Sequence, residues 1–325
     1  MKESLEKISK KYIEKKDMIS NVLKWSNSYI VAICAEMLAE NETDVTAGKM
    51  TACKEILDSS TSVFSNFKGY VYLPVITMLA ISENPKEKME KTKSIYEILK
   101  KHFYGSVYLS LVSTVLADMV EVEEVEKYAI RGRKIYELMK ENHPFLTSAD
   151  DSVVAVLMAF SEKSDVELVN DMETSYKLLK SKFSGGNNIQ AVSHVLALSE
   201  GKQEEKCQRV FDMYDELDRL DRKYGKYYEL NVLGSLAMLD VDVKELVRDI
   251  LLVDAFLEKQ KGYGGFFGLD KKTRLMHAAM IVASDYAKDS NMTTAAMTQT
   301  LVMVAAQQAA LCAIVASTAA INAAN

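Results

Sequence analysis

The residues with the clearest capacity for chemistry are a few polar side chains that interrupt or border short, apolar segments. His194 lies within residues 192–198, Arg274 and His277 lie at the start of an apolar segment that ends at residue 283, and Asp151 precedes a third. A histidine can transfer protons or bind a metal near neutral pH, and a buried arginine can bind an anion. If these segments face a common cavity, the four residues line it, and they are our candidate cavity-lining residues.

A structural role is the alternative for each candidate. A histidine on an apolar face can be a core residue bonded to a carbonyl or hydroxyl, and Asp151 follows Ser148 at the spacing of a capping box, which predicts an acid at a helix start. The sequence has no HExxH or HxxxH pair, no P-loop and no GxSxG turn. We therefore predict no catalytic residue, no metal ligand and no cofactor.

A helical signature repeats about every forty residues and must position these side chains. Its clearest copies are Leu79-Ala80-Ile81-Ser82-Glu83, Met158-Ala159-Phe160-Ser161-Glu162 and Leu196-Ala197-Leu198-Ser199-Glu200. Looser copies place alanine at 39, 117, 237 and 283. The helices that carry this signature are apolar almost all round, as helices buried on most sides must be. A fixed period of this length is typical of repeat architectures.

A second series of helices, longer and charged on one face, alternates with the first. Its marker is a tyrosine followed by aliphatic residues, at Tyr96, Tyr136, Tyr176 and Tyr214. Two interleaved periods of one length predict α-hairpin repeats. With only 13 glycines and 3 prolines, the chain has too few turn residues for a β-sandwich, so we predict an all-α fold.

The predicted domain organisation is one helical-repeat domain over residues 1–325. Residues 1–26 are expected to form an N-terminal capping helix, residues 27–290 six to seven hairpins of about 40 residues, and residues 291–325 an alanine-rich helix. Asn84 before Pro85 is expected to cap a helix, and Asp242 with Glu245 to form a capping box. The hairpins can stack as an open, curved α-solenoid or close into an α/α toroid.

Charge and cysteine use limit the partners and the compartment. The net charge of −6 disfavours binding to nucleic acid, which needs a basic surface. Four dispersed cysteines and a charged N-terminus without an apolar signal favour the cytoplasm. Glutamines interrupt the apolar C-terminal segment, so we expect no membrane span there. A close helix contact, and with it a homo-oligomer through the C-terminal helix, is the stronger expectation.

Two resemblances add to these expectations. Tyr263-Gly264-Gly265-Phe266-Phe267-Gly268 resembles the Gly-Gly-Phe loops of α/α toroids of the prenyltransferase and terpene cyclase type, and Ser184-Gly185-Gly186 lies at the same phase. The hairpin repeat, the lysine-rich start and the tail around Gln307-Gln308-Ala309-Ala310 resemble a bacterial family, mostly from Firmicutes, known only as a domain of unknown function. The first resemblance concerns loop geometry, and the second implies a cytoplasmic bacterial protein of unassigned activity.

Two hypotheses of function follow from the sequence. The first is a non-enzymatic scaffold that binds a protein or peptide on its concave face, because stacked hairpins present an extended surface. The alternative is an enzyme or small-molecule binder with a central cavity lined by His194, His277, Asp151 and Arg274. A closed pocket with converging polar groups would favour the alternative.

Overall fold

A computed structural model describes residues 1–23, 28–63, 65–149, 151–227, 229–264 and 269–289. Within these ranges the chain forms fourteen α-helices and two short 3-10 turns, with no β-strand. The all-α prediction is confirmed. The predicted C-terminal helix of residues 291–325 lies outside the described residues.

The helices alternate between two types along the chain, and we number them in order. The odd-numbered helices, which are long and amphipathic, are α1 (Glu3–Val22), α3 (Ala47–Ser60), α5 (Pro85–Leu99), α7 (Val125–Asn142), α9 (Asp165–Lys180), α11 (Gln203–Arg219) and α13 (Val243–Leu257). The even-numbered helices, which are mostly apolar, are α2 (Ser28–Glu40), α4 (Tyr72–Ile81), α6 (Val107–Leu116), α8 (Asp151–Met158), α10 (Gly186–Leu198), α12 (Leu230–Ala237) and α14 (Lys271–Asp289).

Two sets of loops connect these helices. The odd-to-even loops cover residues 61–71, 100–106, 143–150, 181–185, 220–229 and 258–270. The even-to-odd loops cover residues 41–46, 82–84, 117–124, 159–164, 199–202 and 238–242. These names are kept below because the two sets differ in chemistry.

The described residues divide into two compact units. Residues 14–165 form the middle unit, while residues 1–13 and those from 166 onward form the terminal unit. The division falls inside α1 and after the first residue of α9. The prediction of one domain over residues 1–325 stays a prediction.

In the middle unit, helices α3, α5 and α7 each pack against the even-numbered helix that follows them. Helices α3, α5 and α7 also contact one another in turn, as do α4, α6 and α8. The odd-numbered helices therefore form one layer and the even-numbered helices another. The apolar helix of each pair is buried between its neighbours: every residue of α8, for example, is buried.

The terminal unit has the same two kinds of contact. Helices α10, α12 and α14 pack in sequence, and α11 packs against α12 and α13. The start of α1 joins this unit: Ser4 Oγ donates a hydrogen bond to Asp285 at 3.1 Å, and the Lys2 ammonium lies 3.7 Å from the centre of the Tyr286 ring. Residues 1–13 are thereby fixed to α14.

Two marker tyrosines of the odd-numbered helices illustrate how they join the core. Tyr96 and Tyr214 are buried, and each packs against a phenylalanine from the preceding odd-to-even loop. The ring centres are 5.3 Å apart for Phe67 and Tyr96, and 5.1 Å apart for Phe183 and Tyr214. Each tyrosine therefore joins one helix pair to the loop of the pair before it.

Basic side chains of the odd-numbered helices cap the carboxyl ends of the even-numbered ones. Arg131 donates to the carbonyls of Ala159 and Ser161, and Arg209 to that of Ala237. The buried Lys206 donates to the carbonyl of Leu196 at 2.6 Å. The last carbonyls of a helix have no partner within the helix and carry partial negative charge, so a cation stabilises them.

Two predicted helix starts lie where the sequence places them. Helix α5 begins at Pro85 with Asn84 at the N-cap position, although the Asn84 side chain makes no capping hydrogen bond. Proline has no N–H to satisfy and already has a helical φ, so the cap is less needed there. Asp242 does cap α13, since its carboxylate accepts from the backbone N–H groups of Lys244 and Glu245.

Candidate functional site

A pocket of about 480 Å³ opens in the terminal unit, where the start of α14 approaches the end of α13 and the loop after α11. Five of its nine lining residues are basic, and three are acidic. They are Asp221, Arg222, Lys223, Asp254, Asp270, Lys271, Lys272, Arg274 and Leu275. The pocket has the size of a small-ligand site and an excess of positive charge.

Arg274 forms a buried wall of this pocket through ion pairs with two carboxylates. Its Nε lies 2.7 Å from Asp254 Oδ1 and its Nη2 lies 3.2 Å from Asp254 Oδ2, which makes a bidentate pair. Glu258 Oε1 lies 3.1 Å from its Nη1. These hydrogen bonds raise the pKa of the Arg274 guanidinium. The charge of Arg274 is therefore largely balanced by its own partners.

Asp270 is also committed to the protein, because it caps α14. Its carboxylate accepts from the backbone N–H of Lys272 at 2.9 Å and from the hydroxyl of Thr273 at 2.6 Å. Burial opposes the charged form, but these hydrogen bonds prevail and lower the pKa of Asp270. Two of the three acidic lining residues, Asp254 and Asp270, thus have partners within the terminal unit.

Four of the lining residues are exposed cations, and we call them the basic mouth of the pocket: Arg222, Lys223, Lys271 and Lys272. Within the described part of the chain they form no ion pair. Arg222 and Lys223 follow Asp221, whose φ of 55° places it in the left-handed region that ends many helices. After this turn the chain leaves α11, and Arg222 and Lys223 line the same pocket as the start of α14. The mouth can therefore attract an anionic group such as a carboxylate or a phosphate.

Glu229 is a buried carboxyl in the loop that carries Arg222 and Lys223, and we did not select it from the sequence. It is 4% exposed and accepts a hydrogen bond from the backbone N–H of Tyr227 at 3.0 Å. Burial raises its pKa. A Cβ on Gly225 would lie 1.9 Å from Glu229 Cδ, so the glycine four residues earlier was the signal that could have identified it.

His277 lies on α14 one turn after Arg274, but in a different environment. Its Nδ1 is 2.8 Å from the hydroxyl of Tyr263 and 3.4 Å from that of Tyr12, and the two hydroxyls are 2.6 Å apart. All three side chains are buried. This arrangement is a polar cluster in the core, the structural role that was the alternative for a histidine at this position.

The two remaining candidates lie elsewhere in the chain. His194 is buried on α10 in the terminal unit. Asp151 is the first residue of α8 in the middle unit, and its carboxylate accepts from the backbone N–H of Ser148 at 2.8 Å. Of the four candidates, Arg274 alone is among the residues that line the pocket described above. A shared cavity for the four stays a prediction.

The basic mouth of the pocket was missed because its residues are far apart in sequence. Arg222-Lys223 and Lys271-Lys272 are two adjacent basic pairs that lie 49 residues apart. That interval does not match the forty-residue period, so no local pattern links the two pairs. No three His, Cys, Asp or Glu side chains converge as metal ligands in the described ranges. No helix in those ranges is both long and apolar enough to cross a membrane.

Comparisons with known proteins place the chain in a family. The model for a family described as a protein of unknown function, DUF4003, matches residues 17–310. The uncharacterised protein YeaA of Bacillus subtilis strain 168 is 25% identical over 328 residues, which cover 96% of this chain and 95% of the relative. No solved structure matches. The resemblance to an uncharacterised Firmicutes family is thus confirmed, and the chain belongs to the DUF4003 family.

Proposed function

We propose that this protein is a non-enzymatic, cytoplasmic binding protein that recognises an acidic segment of a partner polypeptide. Its pocket in the terminal unit holds one or more carboxylates of that segment. The observation that carries this proposal is the group of four exposed cations, Arg222, Lys223, Lys271 and Lys272, around a pocket in a chain of net charge −6. A local excess of positive charge on an acidic chain is what an anionic partner needs.

The distribution of charge between the two sets of loops supports the same proposal. The odd-to-even loops contain nine lysines and arginines and five acids, whereas the even-to-odd loops contain two lysines and eleven acids. Basic residues also favour the carboxyl ends of the odd-numbered helices. That effect does not explain Lys271 and Lys272, which lie at the amino end of α14, where the helix dipole disfavours cations.

The alternative function is an enzyme or small-molecule binder that uses the same pocket. One observation favours it: Glu229, a buried carboxyl with a raised pKa, lies in the loop that carries Arg222 and Lys223. A general acid at neutral pH needs such a shift. Binding alone remains the better-supported function, because Glu229 does not line the pocket and its carboxylate is bonded within its own loop.

A charge-reversal experiment tests the proposal directly. The probe is a fluorescein-labelled hexaglutamate peptide, titrated with the full chain and followed by fluorescence anisotropy. We expect K271E/K272E to weaken binding about tenfold or more, because each reversal replaces an attraction by a repulsion near the carboxylates. Higher salt should weaken binding to the wild-type chain.

The matched control is K202E, which reverses an exposed lysine in an even-to-odd loop of the same unit. We expect K202E to bind hexaglutamate as the wild-type chain does. Equal binding by K271E/K272E and wild type would contradict the proposal, as would equal binding of hexaglutamine and hexaglutamate. Turnover of a bound small molecule that E229Q abolishes would instead support the alternative.

Several sequence-based expectations remain predictions beside this proposal. They are recognition on a concave face, the choice between toroid and solenoid, the absence of nucleic acid among the partners, and oligomerisation through residues 291–325. Cytoplasmic location is part of the proposal. It is supported by Cys34 and Cys207, which are buried free thiols, and burial raises the pKa of Cys34 to about 12.

A further inference from the structure

Three large apolar side chains stand out by their exposure in the middle unit. Val63 is 80% exposed, Tyr104 is 89% exposed and Phe145 is 99% exposed. No large apolar side chain of the described residues is more exposed than these. Single exposed apolar residues need no explanation. These three, however, occupy successive odd-to-even loops at intervals of 41 residues.

The three loops lie along one edge of the middle unit. Helices α3, α5 and α7 pack side by side, and each turns back into its even-numbered partner, so the three turns lie at the same end of the layer. Direct contacts link neighbouring loops and helices: Asn66 Nδ2 donates to the Tyr96 hydroxyl at 2.6 Å, and Phe103 packs against Tyr136 with ring centres 6.0 Å apart. The three loops therefore lie in a row, and we call their exposed apolar side chains, Val63, Tyr104 and Phe145, the apolar edge.

Basic residues outnumber acids in these three loops. The loops contain Lys68, Lys100 and Lys101 and one acid, Asp150. The even-to-odd loops of the same unit contain eight acids and one lysine. Lys68 and Lys100 are also paired with acids of the preceding helix, Asp58 and Glu97. The edge is therefore apolar with a modest positive charge, not strongly basic.

We propose that the apolar edge is a docking surface for a partner polypeptide whose apolar side chains are flanked by acidic residues. The inference rests on the proposed function only in taking the partner to be an acidic polypeptide. Its own basis is the row of Val63, Tyr104 and Phe145, which an apolar partner would remove from water, together with the charge complementarity.

Other occupants fit the edge less well. A second copy paired symmetrically would place lysine against lysine, and a head-to-tail pairing through the acidic loops would not close. A polyanion such as nucleic acid, or an anionic membrane, needs more positive charge than three lysines, two of them already paired, on a chain of net charge −6. Each of these occupants is an outcome of the test.

The test compares three labelled 12-residue peptides in anisotropy titrations with the full chain. The first has leucine at every third position and glutamate elsewhere, the second replaces leucine by serine, and the third replaces glutamate by glutamine. We expect the leucine–glutamate peptide to bind about tenfold or more tightly than either of the others. V63S/Y104S/F145S should remove its advantage over the serine–glutamate peptide.

The control variant is I130S, which removes another exposed apolar side chain of the middle unit, within α7 and away from the loops. It should bind all three peptides as wild type does. All three replaced side chains of the test variant are at least 80% exposed, so the variant should melt as wild type does. Equal binding of the leucine–glutamate peptide by the triple variant and wild type would overturn the proposal, as would the absence of binding.

Three further results would identify a different occupant of the apolar edge. Tighter binding of a 12-nucleotide thymidine oligomer, binding to phosphatidylserine vesicles, or concentration-dependent self-association would each overturn the polypeptide proposal if V63S/Y104S/F145S abolished it. Failure of the pocket proposal is distinguishable, because it would affect the binding of hexaglutamate and its response to K271E/K272E. The contribution of the apolar edge is measured by the ratio of the affinities for the leucine–glutamate and serine–glutamate peptides. The carboxylate contribution cancels in this ratio because both peptides have the same glutamates.

Discussion

Gly132 lies where α7 packs closely against the backbone of α8. A Cβ at this position would lie 2.9 Å from Val156 Cα and 3.2 Å from the Ala155 carbonyl oxygen. We expect G132A to destabilise the protein by about 1 to 3 kcal/mol, because backbone atoms cannot move aside as a flexible side chain can. This loss outweighs the gain of about 1 kcal/mol in helix propensity. Chemical denaturation measures the difference.

Gly48 in α3 provides the matched control. A Cβ there would meet only the Thr46 hydroxyl, at 3.8 Å, so G48A should stabilise the protein by about 0.5 kcal/mol through helix propensity alone. The opposite signs of the two substitutions separate close packing from propensity. Equal effects of G132A and G48A would show that α7 and α8 do not approach as described.

The buried carboxyl of Glu229 predicts a pH-dependent effect on stability. Because burial raises its pKa in the folded state, ionisation at neutral pH opposes folding. We expect E229Q to be more stable than wild type at about pH 7.5, and the difference to vanish as the pH falls below the ordinary glutamate pKa of about 4.3. Thermal unfolding of both chains across this range measures it. A difference that stayed constant with pH would contradict the raised pKa.

At the scale of elements, capping cations fix the ends of the even-numbered helices. Arg131 donates from one guanidinium to the carbonyls of Ala159, Ser161 and Lys163 and to the carboxylate of Asp165. We expect R131M to cost about 2 kcal/mol or more, because it leaves several partly buried acceptors without a donor. Urea denaturation checks this value.

Lys134 offers the control for Arg131, since it pairs with the same Asp165 at 2.8 Å from a side chain that is 69% exposed. We expect K134M to cost less than about 1 kcal/mol, because exposed ion pairs contribute little. Similar losses for the two variants would mean that the ion pair with Asp165, and not the carbonyl cap, explains the role of Arg131.

The alternation of helix types was predictable because each type has its own local pattern. The apolar segments around Ala80 and Ala197 and the amphipathic segments around Tyr96 and Tyr214 contain their own periodicity, and the structure places helices there. The capping role of Arg131 was not predictable, because its acceptors lie about thirty residues further along the chain. Local sequence patterns predict where helices form, whereas contacts between helices depend on how the helices pack.

The residues of the candidate site were even harder to predict from local sequence patterns. Arg274 was selected from sequence because it lies at the start of an apolar segment, and it lines the pocket. Arg222 and Lys272 were not selected, because each looks like an ordinary exposed residue until the loop after α11 meets the start of α14. His277 was selected for its chemistry, but its neighbour Tyr12 lies 265 residues away in sequence, so no local pattern could predict their contact.

At the scale of the whole molecule, the segregation of charge between the two sets of loops is the feature most relevant to function. It recurs in both units, although the chain as a whole carries a charge of −6. Helix dipoles account for part of it, but they do not account for the exposed apolar residues Val63, Tyr104 and Phe145 in the same loops. An acidic partner with apolar side chains accounts for both.

Hydrogen exchange of the full chain, with and without the leucine–glutamate peptide, tests this claim most directly. We expect slower amide exchange in residues 221–227 and 269–275, at the pocket, and in residues 100–106, at the apolar edge. Exchange in the acidic loops at residues 199–202 and 238–242 should be unchanged. Protection confined to those acidic loops, or none anywhere at a saturating peptide concentration, would contradict the claim that this protein binds an acidic polypeptide through its odd-to-even loops.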